Sequence, residues 1–303
     1  MRSTRETIKR IAVLIGCPGM GPSSLRGVHP DIRNMYQYHR SPRGGAWLPE
    51  EIIVLWSPTR EQLLDIIGGI EADFLRVYFS GHGCADLVYD RTPGVEGIVD
   101  VRMLALSGND LVCDLELVNW SIPRQEIICD CCRLRPGARI SGIPETFEEI
   151  PFTEEEFYEA RELFNKYIQL SPEGKVIIHS TLDGEPAADT DAGGTFTFAL
   201  LESALNYQST HRNMPAGLDL MLDRAARQLS KSCTQCPEII YLDGHITVPF
   251  ALNTAWPGTP LDGSAIPGRE RHMQLAGEPT IRPINGWLAV GVILFGAWLV
   301  SET

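Results

Sequence analysis

The sequence predicts a three-layer α/β/α sandwich around a mainly parallel sheet of about six strands. Three observations lead there. Apolar runs of four to six residues recur along the chain, as strands buried on both faces require. Stretches with helical periodicity alternate with them, which favours parallel crossovers. The chain has 303 residues, 44% of them hydrophobic, ample for a sizeable core.

Residues 9–17 (KRIAVLIGC) read as the first buried strand, ending in a Gly/Pro loop over 16–27. In HPDIRNMYQYHR, residues Ile32, Met35, Tyr36 and His39 fall on one helical face. EEIIVLWSPT is a second buried strand, and REQLLDIIGGI a helix capped by Ser57 or Thr59. FLRVYFSGHG is a third strand and LVCDLELVNW a helix. QEIICDCCR and KVIIHST (175–181) are the fourth and fifth strands. GTFTFALLESALNY (194–207) is a helix, and EIIYLDGHITVPFAL holds a sixth strand or two. The rhythm breaks at 134–174, a Pro/Gly loop with Arg139 that leads into the acidic amphipathic helix FTEEEFYEARELFNKYIQL. Connections this long usually carry a function. The chain therefore divides into one α/β domain over 8–253 (parts 8–133, 134–174 and 175–253) and a Pro/Gly-rich linker, 254–283.

Net charge is −13, from 26 basic and 39 acidic side chains, so a nucleic-acid partner is not expected. Eight cysteines, three of them crowded into CDCC, suit free thiols in a reducing compartment. The apolar run IAVLIG after the charged amino terminus is too short for a secretory signal. Residues 284–300 carry no charge, with Trp287 and Trp298 near their ends and arginines before them. That pattern predicts a single-pass tail anchor with the domain facing the cytoplasm; the other reading is a buried carboxy-terminal element.

In open α/β sheets, ligands bind beyond the carboxyl ends of the strands. His82 and Cys132 both stand just past predicted strand ends, 50 residues apart. A thiol beside an imidazole gives up its proton and attacks a carbonyl, and the imidazolium then protonates the leaving amine. Glycines on both sides of His82 leave room for a peptide, and backbone N–H groups at Gly83 and Cys132 suit an oxyanion. Taken alone, SGHG reads as a structural turn. Cys131 reads as an inward-facing strand residue. Cys233 and Cys236 have half the spacing of a zinc site, and nothing completes it. His179, His211 and His245 have no evident partner.

YFSGHG followed by IICDCCR resembles the His and Cys motifs of the caspase–metacaspase superfamily (clan CD, peptidase family C14). SLRGVHPDIRNM, GEPAADTDAGGTFTFALLESAL and CPEIIYLDGHITVPFAL are similar to further segments of that family, over about 9–252. The compact form resembles bacterial metacaspase-like proteins. The resemblance implies a caspase-like fold and a cysteine endopeptidase, with Cys132 as nucleophile and His82 as general base. It also implies that Asp31, Ser80 and Asp130 line a pocket for substrate Arg or Lys, where caspases carry groups for aspartate. Read by itself, Asp31 is an exposed residue at a helix start.

Relatives that bind calcium use clustered acids. Here Asp110 and Asp114 are separated, so no metal, no cofactor and weak or absent Ca²⁺ dependence are expected. Processing of the insert is expected at Arg139 or Lys175, if at all. The expected partners are polypeptides with Arg or Lys before the scissile bond, and a membrane. The competing functions are a catalytically silent scaffold and a clan-related transamidase.

Overall fold

The computed structural model describes residues 8–90, 97–131, 152–182, 185, 187–191, 193–209, 215–232, 235–244, 246 and 248–253. In chain order the elements are β1 (Arg10–Cys17), α1 (Val28–Arg40), β2 (Ile52–Trp56), α2 (Arg60–Gly68) and β3 (Phe74–Gly81). Then come β4 (Gly83–Asp90), β5 (Gly97–Ala105), β6 (Leu111–Cys113), β7 (Arg124–Asp130), α3 (Glu154–Leu170) and β8 (Gly174–His179). The last are β9 (Asp189–Thr190), β10 (Gly193–Gly194), α4 (Thr195–Leu205), β11 (Pro215–Gly217), α5 (Leu218–Ser232), β12 (Glu238–Gly244) and β13 (Pro249–Leu252).

Six strands form the main sheet in the order β12-β8-β7-β3-β1-β2, all parallel except β12. Successive residues of the central strands point to opposite faces, and both faces are buried. Leu14, Tyr78, Ile128 and Ile178 belong to one core with residues of α1, α3, α4 and α5. Ile15, Val77, Phe79, Ile127 and Ile177 belong to the other, with Leu63 and Ile67 of α2 and residues of β5 and β6. The expected mainly parallel six-stranded sheet with helices on both faces is therefore present. Thr59 is the cap of α2: its hydroxyl accepts from Gln62 N–H at 3.2 Å, while Gln62 accepts from Thr59 N–H at 3.0 Å.

Three readings of the elements need correction. LVCDLELVNW is not a helix; its first three residues pair with β5 as β6, and Asp114–Leu117 make one 3₁₀ turn. Glu116 accepts the N–H of Cys113 at 2.9 Å and Asp114 turns inward, so the chain tightens at once. β2 is not buried on both faces: it is the outer strand, and Val54 and Trp56 are exposed. The helix within 134–174, read as an interruption between the two halves of the domain, packs into the domain itself. Phe157, Ala160, Phe164 and Ile168 enter the core, and a Cβ on Gly45 would stand 2.3 Å from the Phe164 ring. Arg161 and Arg10 both pair with Glu51, at 2.5 and 3.4 Å, and the Arg10 guanidinium lies over Trp47 and Phe164. The antiparallel sheet β4-β5-β6 and helix α5 are further elements that the apolar pattern did not expose.

At the centre of the sheet Arg76 and Glu126, register partners on β3 and β7, form a buried ion pair at 2.7 Å. Arg76 also donates to Pro249 O at 3.0 Å. Burial, then the charge of Arg76, pushes His39 down to about 3, so it packs there as neutral imidazole.

Candidate active site

The carboxyl ends of β1, β3, β7 and β8 lie along one edge of the sheet. β3 ends at Gly81, where a Cβ would come 2.7 Å from the carbonyl oxygen of Cys17, so only glycine lets β3 run this close to β1. His82 follows, partly exposed. Its carbonyl accepts the N–H of Ala105 at 2.9 Å, which fixes the backbone against β5. Its Nε2 is 2.8 Å from the carbonyl oxygen of Ser23. A carbonyl only accepts, so Nε2 carries the proton and Nδ1 is the basic nitrogen. Gly19, at φ +78°, lets the loop after β1 curl over the ring; a Cβ there would be 3.0 Å from the imidazole. The loop was legible as Gly/Pro-rich, but no side-chain signal marks a backbone carbonyl, so Ser23 escaped the sequence reading.

Beside His82 lies a carboxylate cluster. Asp31, in the first turn of α1, is buried, so its reading as an exposed helix-start residue is overturned. Its carboxylate accepts from Ser80 Oγ and from Gly194 N–H, both at 2.8 Å. Ser80 and Asp130 are register partners on β3 and β7. Asp130 is buried too, and its Oδ2 accepts from Thr197 N–H at 3.2 Å and Thr197 Oγ1 at 2.6 Å. Gly194 separates the two acids: a Cβ there would stand 2.3 Å from Asp130 Oδ2 and 3.2 Å from Asp31 Oδ2. Burial, then the charge of Asp130, holds the Asp31 carboxyl well above its ordinary range, against the pull of its hydrogen bonds. Burial raises Asp130 likewise. Among the described residues, no lysine or arginine pairs with either acid. A third carboxylate, Asp189 of β9, accepts from Gly27 N–H at 3.0 Å and Arg26 N–H at 3.1 Å; the sequence reading had passed over it. The structure thus brings Asp31, Ser80, Asp130 and His82 to one edge, with Gly83 next in line as the first residue of β4.

Cys131, just past β7, is buried, and Ser180 Oγ lies 3.2 Å from both its N and its O. Cys132 and Arg139 lie outside the described residues, as do Cys233, His211, His245 and residues 254–303. No helix among the described residues is long and apolar enough to cross a membrane. Lys175 sits inside β8, buried, with its neighbours paired to β7 on one side and β12 on the other. The folded sheet therefore shields the 175–176 bond, and Lys175 is corrected from a cleavage site to a strand residue whose Nζ lies 5.4 Å from the Trp120 ring. His179 does have a partner: its Nε2 is 2.9 Å from Asp114 Oδ2, both buried. Asp110 accepts from Arg60 N–H at 3.1 Å.

A family model described as the caspase domain matches residues 9–243. No curated protein matches the chain. Solved structures similar to it include protein GSU0716 of Geobacter sulfurreducens, 17% identical, with a TM-score of 0.47 and coverage of 77% of this chain and 93% of that one. Caspase-1 of Spodoptera frugiperda is 15% identical, with a TM-score of 0.45 and coverage of 77% and 86%. The family match begins one residue before β1 and ends one residue short of the end of β12, so it takes in all of the main sheet but its last residue, and the chain belongs to the caspase family of peptidases (C14).

Proposed function

We propose that the chain is a cysteine endopeptidase that cleaves polypeptides after Arg or Lys, tethered to a membrane by residues 284–300. One observation carries the specificity. Two buried carboxylates, Asp31 and Asp130, face one site beside His82 with no lysine or arginine paired to them among the described residues. Unneutralised buried acids are costly to a fold, and a substrate guanidinium supplies the missing charge through bidentate hydrogen bonds. A substrate aspartate meets repulsion instead.

In the proposed reaction the Cys132 thiol gives its proton to His82 Nδ1, since Nε2–H is held by Ser23. The thiolate attacks the carbonyl carbon, and the N–H groups of Gly83 and Cys132 receive the oxyanion. The imidazolium protonates the leaving amine as the C–N bond breaks, leaving a thioester. Water, deprotonated by His82, then releases the carboxylate product and the thiol. No cofactor enters. Weak or absent calcium dependence is supported by the occupation of Asp110 by Arg60 N–H and of Asp114 by His179.

The test uses the full-length chain in mild detergent with fluorogenic peptides bearing Arg, Lys, Asp or Leu before the bond, with and without a calcium chelator. Arg and Lys peptides are expected to be cleaved in both buffers. Cleavage after Asp overturns the pocket assignment, and no turnover of any peptide favours the scaffold. Transfer of the acyl group to added hydroxylamine in place of water favours the transamidase.

A further inference from the structure

Helix α1 begins without a cap of its own, because its N-cap residue is Gly27 and no side chain there accepts a hydrogen bond. The first backbone N–H groups of a helix need acceptors. Here one comes from 162 residues away: Asp189 accepts both Gly27 N–H and Arg26 N–H. In return, Asp31 on the same first turn of α1 accepts Gly194 N–H from β10, the strand paired with β9. The two contacts are reciprocal, each joining the start of α1 to the β9–β10 hairpin. The fit is close, since a Cβ on Gly27 would stand 2.1 Å from Asp189 Oδ1. Further along, α1 is anchored independently by Ile32, Met35 and Tyr38 in the core, so the clasp governs chiefly the turn that carries Asp31.

We infer that Asp189 is a positioning residue that holds the first turn of α1 against the β9–β10 hairpin and so sets where Asp31 stands in the pocket. This rests on the reading of Asp31 and Asp130 as the site of a substrate guanidinium. The charged groups around Asp189 are Asp31 and Asp130 in the pocket, His82, and Asp191. Arg26 offers its backbone N–H to Asp189, while its side chain reaches the exposed Asp191 at 3.4 Å. Among the described residues no hydrogen bond or ion pair joins Asp191 to the start of α1 beyond that exposed pair, so Asp191→Asn removes a like charge from the same hairpin while leaving both Asp189 hydrogen bonds in place.

The experiment compares full-length wild type with Asp189→Asn, Asp189→Glu, Gly27→Ala and Asp191→Asn. Melting curves accompany KM and kcat on an arginine peptide and the Kd for agmatine, a guanidinium with no scissile bond. The amide of Asp189→Asn has one oxygen for two N–H donors. KM and the agmatine Kd are expected to rise together by about tenfold, with kcat within about twofold. Gly27→Ala, which crowds the same contact from the other side, should repeat the pattern. Asp189→Glu should recover part of the loss, and Asp191→Asn should match wild type. A folded Asp189→Asn with unchanged KM overturns the inference, as does a fall in kcat with agmatine binding intact. Loss of the fold in every Asp189 and Gly27 variant overturns it in favour of a brace for the domain. If wild type neither prefers basic peptides nor binds agmatine, the pocket reading itself fails first, and the inference with it.

Discussion

Asp130→Asn should make the protein more stable and its arginine cleavage much weaker, and the stability gain should depend on pH. Burial raises Asp130 from the ordinary 3.8 to about 6, so the folded state holds its proton more tightly than the unfolded state does. The sign follows from linkage. Stability from this group is fully present below about 3.8, declines as pH rises, and reaches its lowest level above about 6. The gap corresponds to about 3 kcal/mol at neutral pH, as an upper bound, of which about 2 kcal/mol develops between pH 4.5 and 7.5. Asparagine keeps an oxygen for Thr197 N–H and Oγ1 and carries no charge. Thermal melts of wild type and variant at the two pH values measure the effect, at roughly 2–4 °C per kcal/mol for a domain of this size. The variant should melt higher at pH 7.5, by a margin that shrinks at pH 4.5. Its kcat/KM on arginine peptides should fall by an amount equivalent to roughly 2–5 kcal/mol, because the guanidinium is left half-paired. An Asp130→Asn protein destabilised equally at both pH values would refute the reasoning.

Cys132→Ala and His82→Ala should each abolish peptide cleavage, whereas buried Cys131→Ala should leave most of it, read with the same arginine peptide. Processing, if the enzyme cuts itself, should fall at 139–140 and leave 175–176 intact, because that bond lies within a strand paired on both sides. Amino-terminal sequencing of fragments from wild type, beside a Cys132→Ala control, checks this. Arg76→Met should destabilise the fold by about 3–5 kcal/mol, since Glu126 stays buried without its cation, and adding Glu126→Leu should restore most of the loss in denaturant titrations.

Much of the sheet was readable because strands buried on both faces need continuous apolar sequence, and β1, β3, β7 and β8 have it. The acidic helix α3 was readable by period, but not its place in the core: Phe164 against Gly45 and Trp47 is a contact across more than a hundred residues. The segment 111–120 misled because a Leu/Val pattern suits a helix or a strand equally. The ladder to β5 and the inward turn of Asp114 toward His179 settled it as strand and 3₁₀ turn.

The sequence by itself determined which side chains stand at strand ends, since strand boundaries are local. His82 after β3 and Asp130 at the end of β7 follow from apolar runs that stop. Only the tertiary structure decided which distant groups meet there. Helical period alone left Asp31 at a solvent-facing helix start, and only the family resemblance set it beside Ser80 and Asp130; the structure closes Ser80 and Gly194 over it, while Asp189 had no mark in the chain beyond being one acid among 39 acidic residues. The Ser23 carbonyl that orients His82 is a backbone atom, the same in every residue. Period and composition record where a side chain lies along its own element; distance between elements depends on how the elements pack, and that is what brings Asp31 and Asp130 together at one edge of the sheet.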